Sequence, residues 1–158
     1  MSSSKRRHEA SRTVTRLARY ARAGVRSRQQ VLAHLRRSGV SPRAALRLVN
    51  ACEARGLVDD EAGARLWADH WARRGYAWAA IRAKLEGRGF TPQAIERAAA
   101  RLGAAAEDAA RARAVVEARR RRGVCERQRL ARTLACRGFD EDLIEQILQD
   151  ADAASAHP

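Results

Sequence analysis

Residues Gly75 to Arg97 read GYAWAAIRAKLEGRGFTPQAIER, and the same skeleton stands once on each side of them. Aligned on the second glycine of the pattern, Gly39, Gly89 and Gly138 fall fifty and forty-nine residues apart, a period that marks tandem units. Four residues before that glycine stand Leu35, Leu85 and Leu134, eight before stand Val31, Ile81 and Leu130, and directly after come Val40, Phe90 and Phe139. An opening pair, Gly24-Val25, Gly75-Tyr76 or Gly123-Val124, stands fourteen or fifteen residues ahead of the second glycine in each copy. Apolar spacings of three and four dominate and no window alternates like a strand, so each copy reads as a glycine, a short amphipathic helix, a second glycine and another helix.

With one longer helix ahead of each copy, the pattern predicts an all-α fold of three tandem three-helix repeats forming an elongated, curved solenoid. The expected boundaries are a basic disordered tail over residues 1–8, repeats over 9–58, 59–103 and 104–151, and a frayed tail over 152–158. Units of about fifty residues are too small to bury much surface alone, so neighbours must stack. The first helix is expected from Glu9 to Arg22, with Val14, Leu17, Ala18 and Ala21 inward. Ser27 is a good N-cap for the second. Ser41-Pro42 and Thr91-Pro92 open the third and sixth, with proline in the first turn where its missing N–H costs nothing. Asp59-Asp60-Glu61 start the fourth, complementing the helix dipole. That helix carries Leu66, Trp67 and Trp71, and the two tryptophans, four residues apart, are read as packing residues rather than as a base-stacking platform. A seventh helix is expected from Gly103 to about Arg122, and the ninth presents Leu143, Ile144, Ile147 and Leu148.

The 158 residues carry a formal charge of +14, and 30 of the 32 basic side chains are arginine. Such a balance invites a polyanion such as nucleic acid, although alanine- and arginine-rich helices also use arginine merely to solvate a face. Residues 1–58 hold fourteen basic and two acidic side chains, whereas 138–158 hold six acidic and no Lys or Arg. The expected particle is therefore basic at one end and acidic at the other. The outward stripe of each unit's last helix repeats the trend, from Arg43, Arg47 and Asn50 through Gln93 and Arg97 to Asp142 and Gln146.

No apolar run is long enough to span a membrane and the start lacks the apolar core of a signal peptide, which predicts a cytoplasmic protein. Cys125 and Cys136, eleven residues apart on one expected helix, would sit about 16 Å apart, beyond disulfide reach. The three cysteines and four histidines form no zinc-binding spacing. No catalytic constellation and no phosphate-binding glycine loop occurs, so neither an enzyme nor a cofactor is expected.

Taken together, Ser27 through Leu35, the Leu57-Val58-Asp59-Asp60-Glu61 segment, Ala64, Gly75-Tyr76 with Ile81 and Leu85, Arg137-Gly138-Phe139 and Leu143-Ile144 resemble the bacterial RecX family of recombination regulators. The resemblance runs from about Leu17 to Leu148. Three positions depart from the family pattern: Gln30 replaces a usual glutamate, Gly63 an aromatic that Trp67 and Trp71 would make up for in volume, and Ala77-Trp78 a glycine often followed by proline. The resemblance implies a non-enzymatic protein that binds the RecA recombinase filament, restrains its ATPase, strand-exchange and co-protease activities, and has some affinity for DNA.

The residues expected to meet filament or DNA are Arg36, Arg37, Arg43, Arg47, Arg97 and the run Arg119, Arg120, Arg121 and Arg122. That run reads equally as a phosphate clamp or as cations stabilising a helix C-terminus. Asp140, Glu141 and Asp142 form the expected protein-facing acidic surface. The partners are the RecA filament and single-stranded DNA, with double-stranded DNA as the secondary candidate, and the protein is expected to be a monomer. The alternative is a stand-alone DNA-binding protein using helix-turn-helix-like repeats one and two, since Asp140 to Asp142 would repel phosphate in unit three.

Overall fold

The computed structural model of the protein describes residues 12–155 except 13 and 22, so the expected basic tail and the start of the first helix at Glu9 lie outside the described residues. Nine α-helices follow one another with no strand among the described residues: α1 (14–21), α2 (Arg28–Arg37), α3 (Pro42–Ala54), α4 (Asp60–Arg73), α5 (Trp78–Gly87), α6 (Pro92–Leu102), α7 (Asp108–Arg120), α8 (Arg127–Ala135) and α9 (Glu141–Ser155). The caps explain where they start. Ser41 and Thr91 accept the amides of Ala44 and Ala94, each ahead of a proline in the first turn. Ser27 accepts from the Gln30 amide while the Gln30 side chain returns to the Ser27 amide, so the glutamine completes a capping box as a glutamate would.

Three apolar clusters fill the chain, each drawn mainly from three consecutive helices. Leu17, Val31, Leu35 and Val49 centre the first, Trp78, Ile81, Leu85 and Ile95 the second, and Leu130, Leu134, Ile147 and Leu148 the third. The repeat-equivalent Leu35, Leu85 and Leu134 are at most 1% exposed, each burial being worth about 1.5–3 kcal/mol. Burial pushes the Cys52 thiol up, as suits an inert core residue. Val14, expected inside, is exposed at 44%, and Leu66 at 51%, because the core stripe of their helices is carried by Leu17 and Ala21 and by Ala64, Ala68 and Trp71.

The repeated glycines do more than end helices. Gly89 and Gly138, at φ +74° and +82°, press their turns against the second helix of the preceding unit: an added Cβ would meet Gln29 Oε1 at 2.1 Å and Ala80 Cβ at 2.6 Å. Gly39, in unit one, has open space at the same position. Hydrogen bonds repeat at the two junctions. Ser27 Oγ donates to the Arg88 carbonyl at 2.6 Å, and the Ala77 amide donates to the Arg137 carbonyl at 3.0 Å. Asp60 accepts the Arg28 amide at 2.7 Å and the Thr91 amide at 3.3 Å. Asp108, its counterpart one unit on, accepts the Trp78 amide at 2.9 Å, supplying the cap that Ala77 has no side chain to provide.

Four sequence expectations need correction. The space beside Gly63 is filled not by Trp67 and Trp71 but by Phe90 and Val25, whose atoms lie 2.8 and 3.0 Å from where a Cβ would stand. The seventh helix does not begin at Gly103: that glycine is the left-handed cap of α6, and a 3-10 turn, Ala104–Glu107, precedes α7. Cys125 and Cys136 do not share a helix, since Cys125 lies in the loop before α8 and Cys136 caps its end, and both are free and exposed. The chain from Asp152 is helical to Ser155 instead of frayed, because Arg120 and Arg127 both hold the Asp152 carboxylate, at 2.9 and 2.8 Å.

Candidate macromolecular interface

The residue just before the second glycine gives its carbonyl to the junction, and in units two and three its half-buried side chain lies at the seam. In unit two this residue is Arg88. Its guanidinium lies 3.6 Å from the centre of the Trp67 ring and 5.4 Å from that of Trp71. Burial, and then the charge of Arg26, lower its pKa, yet an arginine stays charged at any relevant pH. Arg26 in turn lies over Tyr20 at 4.8 Å, and Tyr20 stacks on His34 with centroids 4.0 Å apart. Lys84, one turn before Arg88 on α5, places Nζ 4.8 Å from the Tyr76 ring. Such cation–ring contacts contribute about 0.5–1 kcal/mol when exposed and more when desolvated. Trp67 Nε1 is buried without a hydrogen-bond acceptor. Trp71 is a core residue, and Trp67 is only half-buried.

In unit three the same position is Arg137. Its Nη1 donates to the Arg74 carbonyl at 2.7 Å. Burial first, and the Arg119 charge second, lower its pKa, with Tyr76 acting in the opposite direction. Cations and aromatic rings therefore adjoin one another in a line from Tyr20 and Arg26 through Arg88, Trp67, Lys84 and Tyr76 to Arg137.

The arginines expected from the sequence are scattered around this line. Arg36, Arg37, Arg43 and Arg47 are exposed on unit one without an ion-pair partner among the described residues. Arg97 is exposed but paired with Glu61, so the expected midpoint of the charge gradient is locally compensated. The run Arg119 to Arg122 splits, because α7 ends at Arg120 and Arg121 and Arg122 lie in the turn that follows. Arg120 turns to the Ala151 carbonyl at 2.7 Å and to Asp152, Arg121 pairs with Glu117 at 3.0 Å, and Arg119 and Arg122 enter a cavity between units two and three. Asp140 caps α9 by accepting the Leu143 amide at 3.0 Å, while Glu141 and Asp142 are exposed on its first turn. The acidic end is less uniform than its composition predicts, because Arg120 and Arg127 hold Asp152 and Arg113 lies 3.9 Å from Asp150.

Sequence reading missed Arg26, Lys84, Arg88 and Arg137. The signal was present: Arg88-Gly89 and Arg137-Gly138 occupy one repeat position, where unit one has Ser38.

The structure superimposes on the crystal structure of RecX from Lactobacillus salivarius with a TM-score of 0.73, covering 90% of this chain and 96% of that one at 18% identity. The fold is that of RecX. A second crystal structure, of a regulatory protein RecX, matches with a TM-score of 0.67 over 89% of this chain and 71% of that chain at 19% identity. No protein-family model matches the sequence, and no curated protein matches it. Among the described residues no helix is long and apolar enough to cross a membrane, and no group of three or more His, Cys, Asp or Glu is placed to hold a metal ion.

Proposed function

We propose that the chain is a non-enzymatic regulator of the RecX type that binds the RecA nucleoprotein filament, in its helical groove, and restrains its ATPase, strand-exchange and co-protease activities, with consequences for recombination and the SOS response. The observation that carries this reading is end-to-end likeness: nearly the whole of the Lactobacillus salivarius RecX chain is covered, including all three units, at a TM-score of 0.73. The residues that resemble the family are structural in this fold. Asp60 of the double-aspartate segment ties unit one to unit two, and Gly138 seats unit three on unit two. The face of cations and aromatic rings is a second support, since a filament that wraps DNA offers both an acidic polymer and protein surface. Charge complementarity would steer the approach and set its orientation.

The test is RecA ATPase on single-stranded DNA titrated with this protein. Inhibition is expected by stoichiometric amounts, and undiminished hydrolysis at stoichiometric excess overturns the reading. Exposed Arg36, Arg37, Arg43 and Arg47 favour the second reading, a stand-alone DNA binder. Co-sedimentation with RecA filaments but not with bare DNA at physiological salt separates the two.

A further inference from the structure

The surface between units two and three sinks into a cavity of about 290 Å³ whose wall carries six arginines, Arg73, Arg74, Arg111, Arg119, Arg122 and Arg137, and no acidic side chain. Arg111 is paired with Asp108. Arg74 leans on His70 at 3.2 Å. Arg73, Arg119 and Arg122 have no ion-pair partner among the described residues. Burial first, and then the Arg119 charge, lower the pKa of Arg137, so an anion entering between the two arginines would relieve like-charge repulsion.

The basin is also preformed. An added Cβ on Gly75 would meet Val115 Cγ2 at 2.4 Å and Arg137 Nη1 at 2.5 Å, so the glycine lets the guanidinium pack onto the turn that its hydrogen bond to Arg74 already fixes. A cation held in place before binding loses little freedom when an anion arrives.

A second observation identifies the kind of anion. Forty-nine residues earlier the same repeat position places Arg88 on Trp67, and between the two junctions Lys84 lies over Tyr76, the neighbour of Gly75. One small anion would use one junction. Cations recurring with aromatic faces at successive junctions suit a polymer that presents a charge and a ring in each of its own repeats. We propose that the basin seats a backbone phosphate of a single-stranded nucleic acid, with the adjoining bases on the side of Tyr76. Asp140, Glu141 and Asp142 do not line the basin, so the electrostatic objection to unit three touching DNA does not apply to this surface. The proposal deepens the filament reading by assigning where DNA is held, and its test contains no recombinase, so the two can fail separately.

The test is fluorescence anisotropy of a labelled twenty-nucleotide oligothymidine with the full chain across a salt series. Arg119→Ala with Arg122→Ala removes two basin cations. Arg65→Ala with Arg101→Ala removes two exposed cations from another groove, lined also by Asp59 and Glu61, and matches the change in net charge. The basin pair should weaken binding about tenfold at low salt and flatten the log–log salt slope by about 0.7, the share of the one single-strand phosphate seated there. The control pair should change both much less, with thermal unfolding of all three proteins alike. Equal losses in the two pairs, or no binding by the unmodified protein, overturn the proposal. A polyglutamate of matched charge should compete poorly, and displacement as efficient as by unlabelled oligothymidine overturns the assignment to nucleic acid.

Discussion

Replacing Gly138 by alanine tests whether the repeated glycine exists for the junction or for its own turn. Two costs apply. At φ +82° any Cβ-bearing residue gives up about 1–2 kcal/mol to left-handed backbone strain. The new methyl would also lie 2.6 Å from Ala80 Cβ and 3.5 Å from the Ala80 backbone, a contact with a helix that cannot swing aside, and overpacking of this kind costs about 1–3 kcal/mol. Gly39→Ala isolates the first cost, because Gly39 has φ +78° and nothing within 4 Å of its would-be Cβ. The entropy gained by removing a glycine from the unfolded chain is common to both and cancels. Urea unfolding should therefore show Gly138→Ala less stable than Gly39→Ala by about 1–3 kcal/mol, a difference of about 2–12 °C in Tm for a chain of this length. Ala80→Gly, which alone costs about 1 kcal/mol in a helix interior, should restore part of the loss in the Gly138→Ala background, a coupling expected only of touching residues. Equal losses at the two glycines, with no coupling to Ala80, would refute the junction argument.

Two further predictions follow from the junctions. Asp60 has its pKa raised, because burial outweighs the opposing amides of Arg28 and Thr91. A carboxyl whose folded pKa lies above the unfolded value binds more protons folded than unfolded between the two, so stability falls as pH rises through that window. Wild type should accordingly gain stability relative to Asp60→Asn as the pH is lowered from neutral towards the ordinary aspartate range, and a pH-independent difference in urea melts would sink the claim. Arg88→Ala should remove the cation from the Trp67 face, costing about 1 kcal/mol and changing tryptophan emission, whereas identical spectra would show that the contact is not kept in solution.

Much of the architecture was legible because it depends on local rules that the chain repeats three times. Glycine spacing, the Ser-Pro and Thr-Pro starts and the equivalent Leu35, Leu85 and Leu134 each state one unit's helices within a short window. What lay hidden was set by contacts between units. Asp60 looks like a dipole-compensating residue at its own helix start, yet its carboxylate reaches Arg28, thirty-two residues back. Gly63 looks like lost volume until Phe90, twenty-seven residues on, is seen to fill it. The arginine run could not be resolved because α7 ends inside it, after Arg120, and which of the four side chains meets Asp152 or enters the basin is decided by where α9 and unit two pack.

The same geometry ties the candidate interface to the fold. Where one unit's glycine turn docks on the preceding unit, the backbone of the residue before the glycine is consumed by the junction, through Ser27 on the Arg88 carbonyl and through Ala77 on that of Arg137. Its side chain is left at the seam. Unit one, whose Gly39 has open space beside it, carries Ser38 there, whereas units two and three both carry arginine. Stacking the units thus spaces these two cations along one face at a pitch set by the junction, with Lys84 and Tyr76 between them. A variant that disturbs stacking, such as Gly138→Ala, should for that reason weaken nucleic-acid binding without removing any charge. Alanine at Gly39, where no junction is at stake, should leave binding unchanged at temperatures where both variants are folded.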